Sequence, residues 1–242
     1  MTNSRYSAIL FDLDDTLLDF CAGETKALRK ALTIVDINIS DDEWNIIWRT
    51  YQPISSNYWQ HKQSNSLSRQ QIIAASLQDT FTALDYDFVD SSRLAQIYWD
   101  VFCHTACLNP EVLSTIEALS NYYQLGIVSN GYTDSQEYRL KASGLSNYFQ
   151  SVVISESVGY RKPASEIFNL ALMELAVTSS KTLFVGDSIT DDYQGAINAG
   201  IDFCYYQKRS QNVEVVQSPS AKLDPQPQYT IKNMSQLINL LN

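Results

Sequence analysis

The chain has 242 residues, 45% of them hydrophobic and 18% charged, enough to bury one large core or a core with a smaller lobe. A formal net charge of −10 and a pI near 4.6 argue against binding nucleic acid polymers or anionic membranes, both of which need broad basic patches. Any site for an anion in so acidic a protein must gather its positive charge locally.

Ala8-Ile9-Leu10-Phe11 is a continuous apolar run, the pattern of a strand covered on both faces of a parallel sheet. It leads directly into Asp12-Leu13-Asp14-Asp15-Thr16. Open α/β sheets bind ligands just beyond the carboxyl ends of such strands. Two like charges about 4 Å apart repel by roughly 4 kcal/mol at an effective dielectric of about 20, so paired carboxylates there call for a cation. A hard divalent ion with oxygen ligands, Mg²⁺ by preference, is the simplest answer. Taken alone, the stretch reads more plainly as a helix cap, because Asp and Thr are favoured N-caps.

From about residue 19 the pattern turns helical, with Ala22, Leu28, Ala31 and Leu32 followed by Trp44, Ile47, Trp48 and Tyr51. We expect an inserted helical cap domain over residues 19–105, the core domain comprising 1–18 and 106–242, with hinges near 17–20 and 105–109. Within the insert, Ser68 and Gln71 have the spacing of a capping box ahead of Ile72 and Ile73. A further helix is expected from 91 or 92 to about 102. All four tryptophans, Trp44, Trp48, Trp59 and Trp99, lie in this region. They pack its helices, or Trp59, Tyr58 or Phe20 offers a face to a base.

Cys103-His104-Thr105-Ala106-Cys107 bunches three zinc-type ligands but lacks a fourth, so no metal role is expected for it. Cys21, Cys103, Cys107 and Cys204 show no Cys-x-x-Cys spacing, and the first seven residues lead only into a short strand, so we expect a reducing cytoplasm. His61 and His104 are the only histidines, which leaves acid–base chemistry to carboxylates.

Beyond Asn109-Pro110, where a helix restarts, strands are expected near 125–129, 151–154, 182–186 and 202–206, alternating with helices near 133–143, 164–176 and 191–199. Gly144 and Gly200 suit helix C-termini, and Pro163 suits a helix first turn. Residues 207–228 read as a long loop before a closing helix over 234–241. The alternation predicts an α/β fold, a doubly wound parallel sheet. Its carboxyl edge would collect Asp12 and Asp14, Ser129-Asn130-Gly131, Arg161-Lys162-Pro163, and Gly186-Asp187 with Asp191 and Asp192.

Asp12-x-Asp14-x-Thr16, Ser129, Lys162-Pro163 and Gly186-Asp187 with Asp191 and Asp192 resemble, in order, the four signature motifs of the haloacid dehalogenase-like hydrolase superfamily. The stretch Phe11 to Phe20, with Ser129-Asn130-Gly131 and Asn198-Ala199-Gly200, is most similar to its pyrimidine 5′-nucleotidase branch. The resemblance implies that Asp12 is a nucleophile taking up a phosphoryl group as an aspartyl phosphate. Asp14 would protonate the leaving oxygen and then deprotonate the hydrolytic water, its carboxyl kept off the metal while its backbone carbonyl serves as a ligand. Mg²⁺ would be held by Asp12, Asp14 and Asp187. Asp192, in preference to Asp191, would bind it through water or hold Lys162. Lys162, Ser129 and the backbone N–H groups of Asn130 and Gly131 would hold the phosphoryl oxygens. Thr16 orients Asp12 or caps the next turn, and Asp15 reads as a turn residue.

The expected activity is a Mg²⁺-dependent phosphomonoesterase acting on small-molecule substrates, pyrimidine nucleoside monophosphates foremost. The alternatives are a sugar-phosphate phosphatase or phosphomutase of the same superfamily, or a phosphoaspartate signalling module. Asp14 argues against hydrolytic dehalogenation, which needs no second acid/base carboxylate. Oligomeric state is not legible.

Overall fold

The computed structural model describes residues 5–61, 66–86, 90–208 and 225–241. The chain divides into two compact units, one of Met1–Phe20 with Ala106–Asn242 and the other of Cys21–Thr105.

The first unit is built on six parallel strands: β1 (Ala8–Phe11), β2 (Gln124–Ser129), β3 (Ser151–Ile154), β4 (Thr182–Gly186), β5 (Asp202–Tyr206) and β6 (Tyr229–Ile231). Their spatial order is β3-β2-β1-β4-β5-β6. The chain therefore builds outward from β1 in one direction, then returns to β1 and builds in the other. Such a reversal opens a crevice at the carboxyl ends of the two strands that flank it, here β1 and β4.

Successive side chains of β1 face opposite ways, as the period of a strand requires. Ile9 and Phe11 join one core with Ile127, Val185 and Leu183. Ile116 and Leu119 of α5 (Val112–Ser120) and Leu140 of α6 (Thr133–Ala142) close it. Ala8 and Leu10 join a second core with Val128, Phe184 and Phe203, closed by Ile167, Phe168 and Ala171 of α8 (Ser165–Glu174). Both faces are covered, which is why β1 is apolar throughout rather than alternating.

Short helix α7 (Ser155–Val158) follows β3, and a π-helical turn, Ile189–Tyr193, runs into α9 (Gln194–Ala199). Gly144 and Gly200 have left-handed backbones, with φ of 77° and 66°, beyond the ends of α6 and α9 as expected. Three expectations change. Pro163 lies ahead of α8 rather than in its first turn, joined to Lys162 by a cis peptide bond. The π-helical turn occupies the start of the helix expected over 191–199. Three-residue β6 lies just beyond the expected long loop, at a place where no strand was expected, and an edge strand that short carries too little pattern to be read. The closing helix, α10, spans Gln236–Leu241, and much of the expected loop, residues 209–224, lies outside the described residues.

The second unit is helical: α1 (Phe20–Ile34), which begins on the last residue of the first unit, then α2 (Asp41–Gln60), α3 (Arg69–Ala83) and α4 (Ser91–Cys103). The capping box at Ser68 forms as its spacing predicts, and a second one forms between Ser40 and Glu43. Trp44 is buried and stacks on Trp48 at 5.6 Å between ring centroids, and Arg69 lies over Trp99, so these three tryptophans serve packing. Among the described residues no helix is long and apolar enough to cross a membrane.

Candidate active site

The ladder between β1 and β4 runs one residue past β1, where the Asp12 N–H donates to Val185 O at 2.9 Å. That bond sets the Asp12 side chain beside the end of β4, from which Gly186 and Asp187 emerge. Lys162 reaches the same point from the loop after α7. Its ammonium is buried, ion-paired to Asp12 Oδ1 and, at 2.7 Å, to Asp192 Oδ1. Ligand atoms of Asp12, Asp187 and Asp192 all lie within 4.8 Å of one another.

Three carboxyl groups thus face one ammonium in a mostly buried space. Burial pushes the Asp187 carboxyl up to about 7, with Asp192 and Asp15 adding to the rise and Lys162 and the Thr16 hydroxyl opposing it. Burial likewise lifts Asp12 well above the usual carboxylate range despite Lys162. For Lys162, burial works against the charge, but Asp12 and Asp192 outweigh it and hold its pKa above the ordinary value. Charges crowded in this way are relieved by a divalent cation with oxygen ligands, and the donor set fits Mg²⁺.

Both oxygens of Asp192 are engaged, since Oδ2 accepts the N–H groups of Asp187 at 3.1 Å and Ser188 at 3.0 Å while Oδ1 holds Lys162. A Cβ at Gly186 would come within 2.3 Å of that Oδ2, so only glycine admits the contact. Asp191 instead accepts from Asn130 Nδ2 at 3.0 Å. The same Asn130 amide donates to Lys162 O and accepts from Lys162 N–H at 2.7 Å, so its side chain stitches three loops together. Thr16 donates to Asp187 Oδ1 at 3.3 Å. Asp15, with φ of 61°, accepts from the Phe20 N–H and is a turn residue.

Asp14 turns the other way. Its Oδ1 accepts from Arg139 Nη1 and its Oδ2 from Gln136 Nε2, both at 2.6 Å. Gln136 Nε2 also reaches Ser129 Oγ at 2.8 Å, and the Gly131 N–H donates to that oxygen at 3.3 Å. The site residues named from sequence therefore fall into two groups: Asp12, Lys162, Asp187 and Asp192 in one, and Asp14, Ser129 and Gly131 in the other. Asn130 braces the loops beside the first group. Cys103-His104-Thr105-Ala106-Cys107 contributes no member to the carboxylate cluster.

Gln136 and Arg139 went unread in the sequence. Their one local signal is that they stand three apart on α6, on one face of the helix that follows Ser129-Asn130-Gly131. Polar residues at that spacing also describe an ordinary solvated helix surface.

The haloacid dehalogenase-like hydrolase family model matches residues 6–200. The HAD-hydrolase YfnB of Bacillus subtilis is 30% identical over 241 residues, covering 98% of this chain and 96% of YfnB. A crystal structure of YfnB bound to magnesium superposes with a TM-score of 0.78 at 29% identity, over 98% of this chain and 99% of that one. The pyrimidine 5′-nucleotidase PynA of Streptococcus pneumoniae is 33% identical over 83% of this chain and 84% of its own length. The pyrimidine 5′-nucleotidase YjjG of Escherichia coli is 27% identical over 83% and 86%. With the sheet order, the carboxylate–lysine cluster at the β1/β4 edge and these matches, the chain belongs to the haloacid dehalogenase-like hydrolases.

Proposed function

We propose that the chain is a Mg²⁺-dependent phosphomonoesterase that passes through an aspartyl phosphate on Asp12 and acts on pyrimidine nucleoside 5′-monophosphates. The observation that carries the chemistry is the buried Lys162 ammonium wedged between Asp12 and Asp192 beside Asp187, one cation among three carboxyl groups. The likeness to PynA and YjjG supports the substrate class.

A phosphate monoester dianion and an attacking carboxylate repel each other, so the approach needs positive charge at the point of attack. Lys162 supplies one such charge. Asp12, Asp187, the Asp14 carbonyl and Asp192 would hold Mg²⁺, which would supply the further positive charge that offsets the phosphoryl oxygens. A carboxylate oxygen of Asp12 forms the new bond to phosphorus while the ester P–O bond breaks, its electron pair leaving on the ester oxygen. Asp14 gives that oxygen a proton. Asp14 then takes a proton from water as the water oxygen bonds to phosphorus and the bond to Asp12 breaks, which returns the carboxylate and releases phosphate. Ser129 and the N–H groups of Asn130 and Gly131 hold the phosphoryl oxygens. In this reading the helical unit is the cap domain.

Phosphate release from a panel of nucleoside monophosphates and sugar phosphates, with and without Mg²⁺, tests this. We expect uridine and cytidine 5′-monophosphates to be turned over fastest and chelation to abolish turnover. A wide lead for sugar phosphates would sink the nucleotide assignment, and turnover indifferent to chelation would sink the metal.

A further inference from the structure

We propose that Arg139 and Gln136 are positioning residues, which together hold the Asp14 carboxylate away from the metal ligands and turn the Ser129 hydroxyl into a hydrogen-bond donor. The inference rests on the phosphatase reading of Asp14 and Ser129, and it concerns how two side chains of α6 set the geometry of both.

The direction of every bond in this network follows from one group. A guanidinium has only donors and keeps its charge at any ordinary pH. Arg139 Nη1 carries two hydrogens and meets two acceptors, Asp14 Oδ1 at 2.6 Å and Gln136 Oε1 at 3.2 Å. With Oε1 drawn to the guanidinium, the Gln136 amide has one orientation, Nε2 facing away from Arg139. Both Nε2 hydrogens then have acceptors, Asp14 Oδ2 at 2.6 Å and Ser129 Oγ at 2.8 Å. Ser129 Oγ accepts a second hydrogen bond from the Gly131 N–H at 3.3 Å. A hydroxyl has two acceptor positions and one hydrogen. With both positions filled, what Ser129 presents to a third group is its hydrogen, which suits an anionic oxygen and repels nothing from it.

The clamp is also rigid. Gln136 and Arg139 are each 1% exposed, and the Arg139 guanidinium carbon lies 5.7 Å from the centroid of the Phe20 ring. Gly131 is required by the same packing, since a Cβ there would come within 2.0 Å of Gln136 Nε2. Asp14 is gripped through both oxygens by one helix face. Rotating its carboxylate toward Asp12 and Asp187 would break both bonds and leave a buried cation without its counter-charge, a costly exchange.

Steady-state and single-turnover kinetics of Arg139→Met, Arg139→Lys, Asp14→Asn and the double variants, on the full chain, separate positioning from mere support. Two substrates are compared: the nucleotide or sugar phosphate turned over fastest, whose alkoxide leaving group needs a proton, and 4-nitrophenyl phosphate, whose leaving group does not. Arg139→Met is expected to lower kcat on the first about 10- to 100-fold, up to the lower end of the roughly 10²- to 10⁴-fold that acid–base catalysis contributes, because Asp14 is displaced and not removed. The first-turnover burst of nitrophenolate should fall far less, Mg²⁺ affinity should hold, and Arg139→Lys should lie between Arg139→Met and the parent. In the Asp14→Asn background the Arg139 substitutions should no longer discriminate between the two substrates, leaving only the common loss that passes through Ser129. Equal losses on both substrates in the parent background, or a substrate-selective loss that persists with Asp14→Asn, would overturn the proposal. If circular dichroism shows Arg139→Met unfolded, the same cycle with Arg139→Lys decides. Full turnover by Asp14→Asn alone would instead refute the acid/base reading of Asp14.

Discussion

Asp12 and Asp14 leave the end of β1 two residues apart and meet opposite kinds of company. On the β4 side, Asp12 shares one ammonium with Asp192 and stands next to Asp187, so that side carries surplus negative charge. On the β2 side, Asp14 meets the buried Arg139 guanidinium and the Gln136 amide, a pair whose charges balance. The first cluster sets three carboxyl groups against one ammonium. The second balances its charges within itself, with the Asp14 carboxylate and the Ser129 hydroxyl held by the same two side chains. Strand period accounts for the split: side chains two residues apart share a face while the chain is extended, but beyond Phe11 it is no longer a strand, so Asp12 and Asp14 are free to diverge.

Three substitutions or conditions break or sharpen this contrast. The largest effect is expected of Asp12→Asn, which should lower turnover by about 10³-fold or more, as loss of a nucleophile does. The metal-free protein should stay folded and lose no stability, because one of three crowded carboxylates has gone. Thermal melting alongside phosphate-release assays checks both halves, and retained turnover would remove Asp12 as nucleophile.

Lys162→Met comes next. Removing the ammonium leaves Asp12 and Asp192 buried without their cation, and taking away one partner of a buried pair destabilises by about 3–5 kcal/mol. Urea unfolding without metal measures this, with added Mg²⁺ expected to restore part of the loss. An unchanged midpoint would mean that Lys162 is not the charge that holds the cluster together.

The smallest effect is one of pH. Asp187 in the folded, metal-free protein sits at about 7 against an ordinary value of 3.8. A carboxyl raised by folding contributes stability at low pH that is lost as pH climbs from its ordinary value through its folded one. Mg²⁺ takes the ionised form, so its binding releases protons and weakens below about 7. The gain in melting temperature on adding Mg²⁺ should therefore grow with pH up to about 7 and then level off. Asp187→Asn should flatten that slope, and an equal slope in this variant would assign the titration elsewhere.

What the sequence reveals and what it hides divide along the same line. The strands β1, β2, β3, β4 and β5 are readable because a strand buried on both faces is a largely apolar run, and Asp12 and Asp187 are readable because each directly follows such a run. The capping box at Ser68 and the glycines at 144 and 200 are local signals with local causes. By contrast, β6 has three residues, and Pro163 looks the same in a first turn as before one.

The sequence by itself determined the order of the elements, the edge at which the chemistry collects and the residue types present there, because burial and backbone geometry act over a few neighbouring residues. Only the tertiary structure decided which carboxylate goes with which cation. Gln136 and Arg139 meet Asp14 across 122 and 125 residues of chain, and Lys162 meets Asp12 across 150. No local pattern records such pairs, since a charge finds its partner through the packing of the sheet and not through its neighbours in sequence.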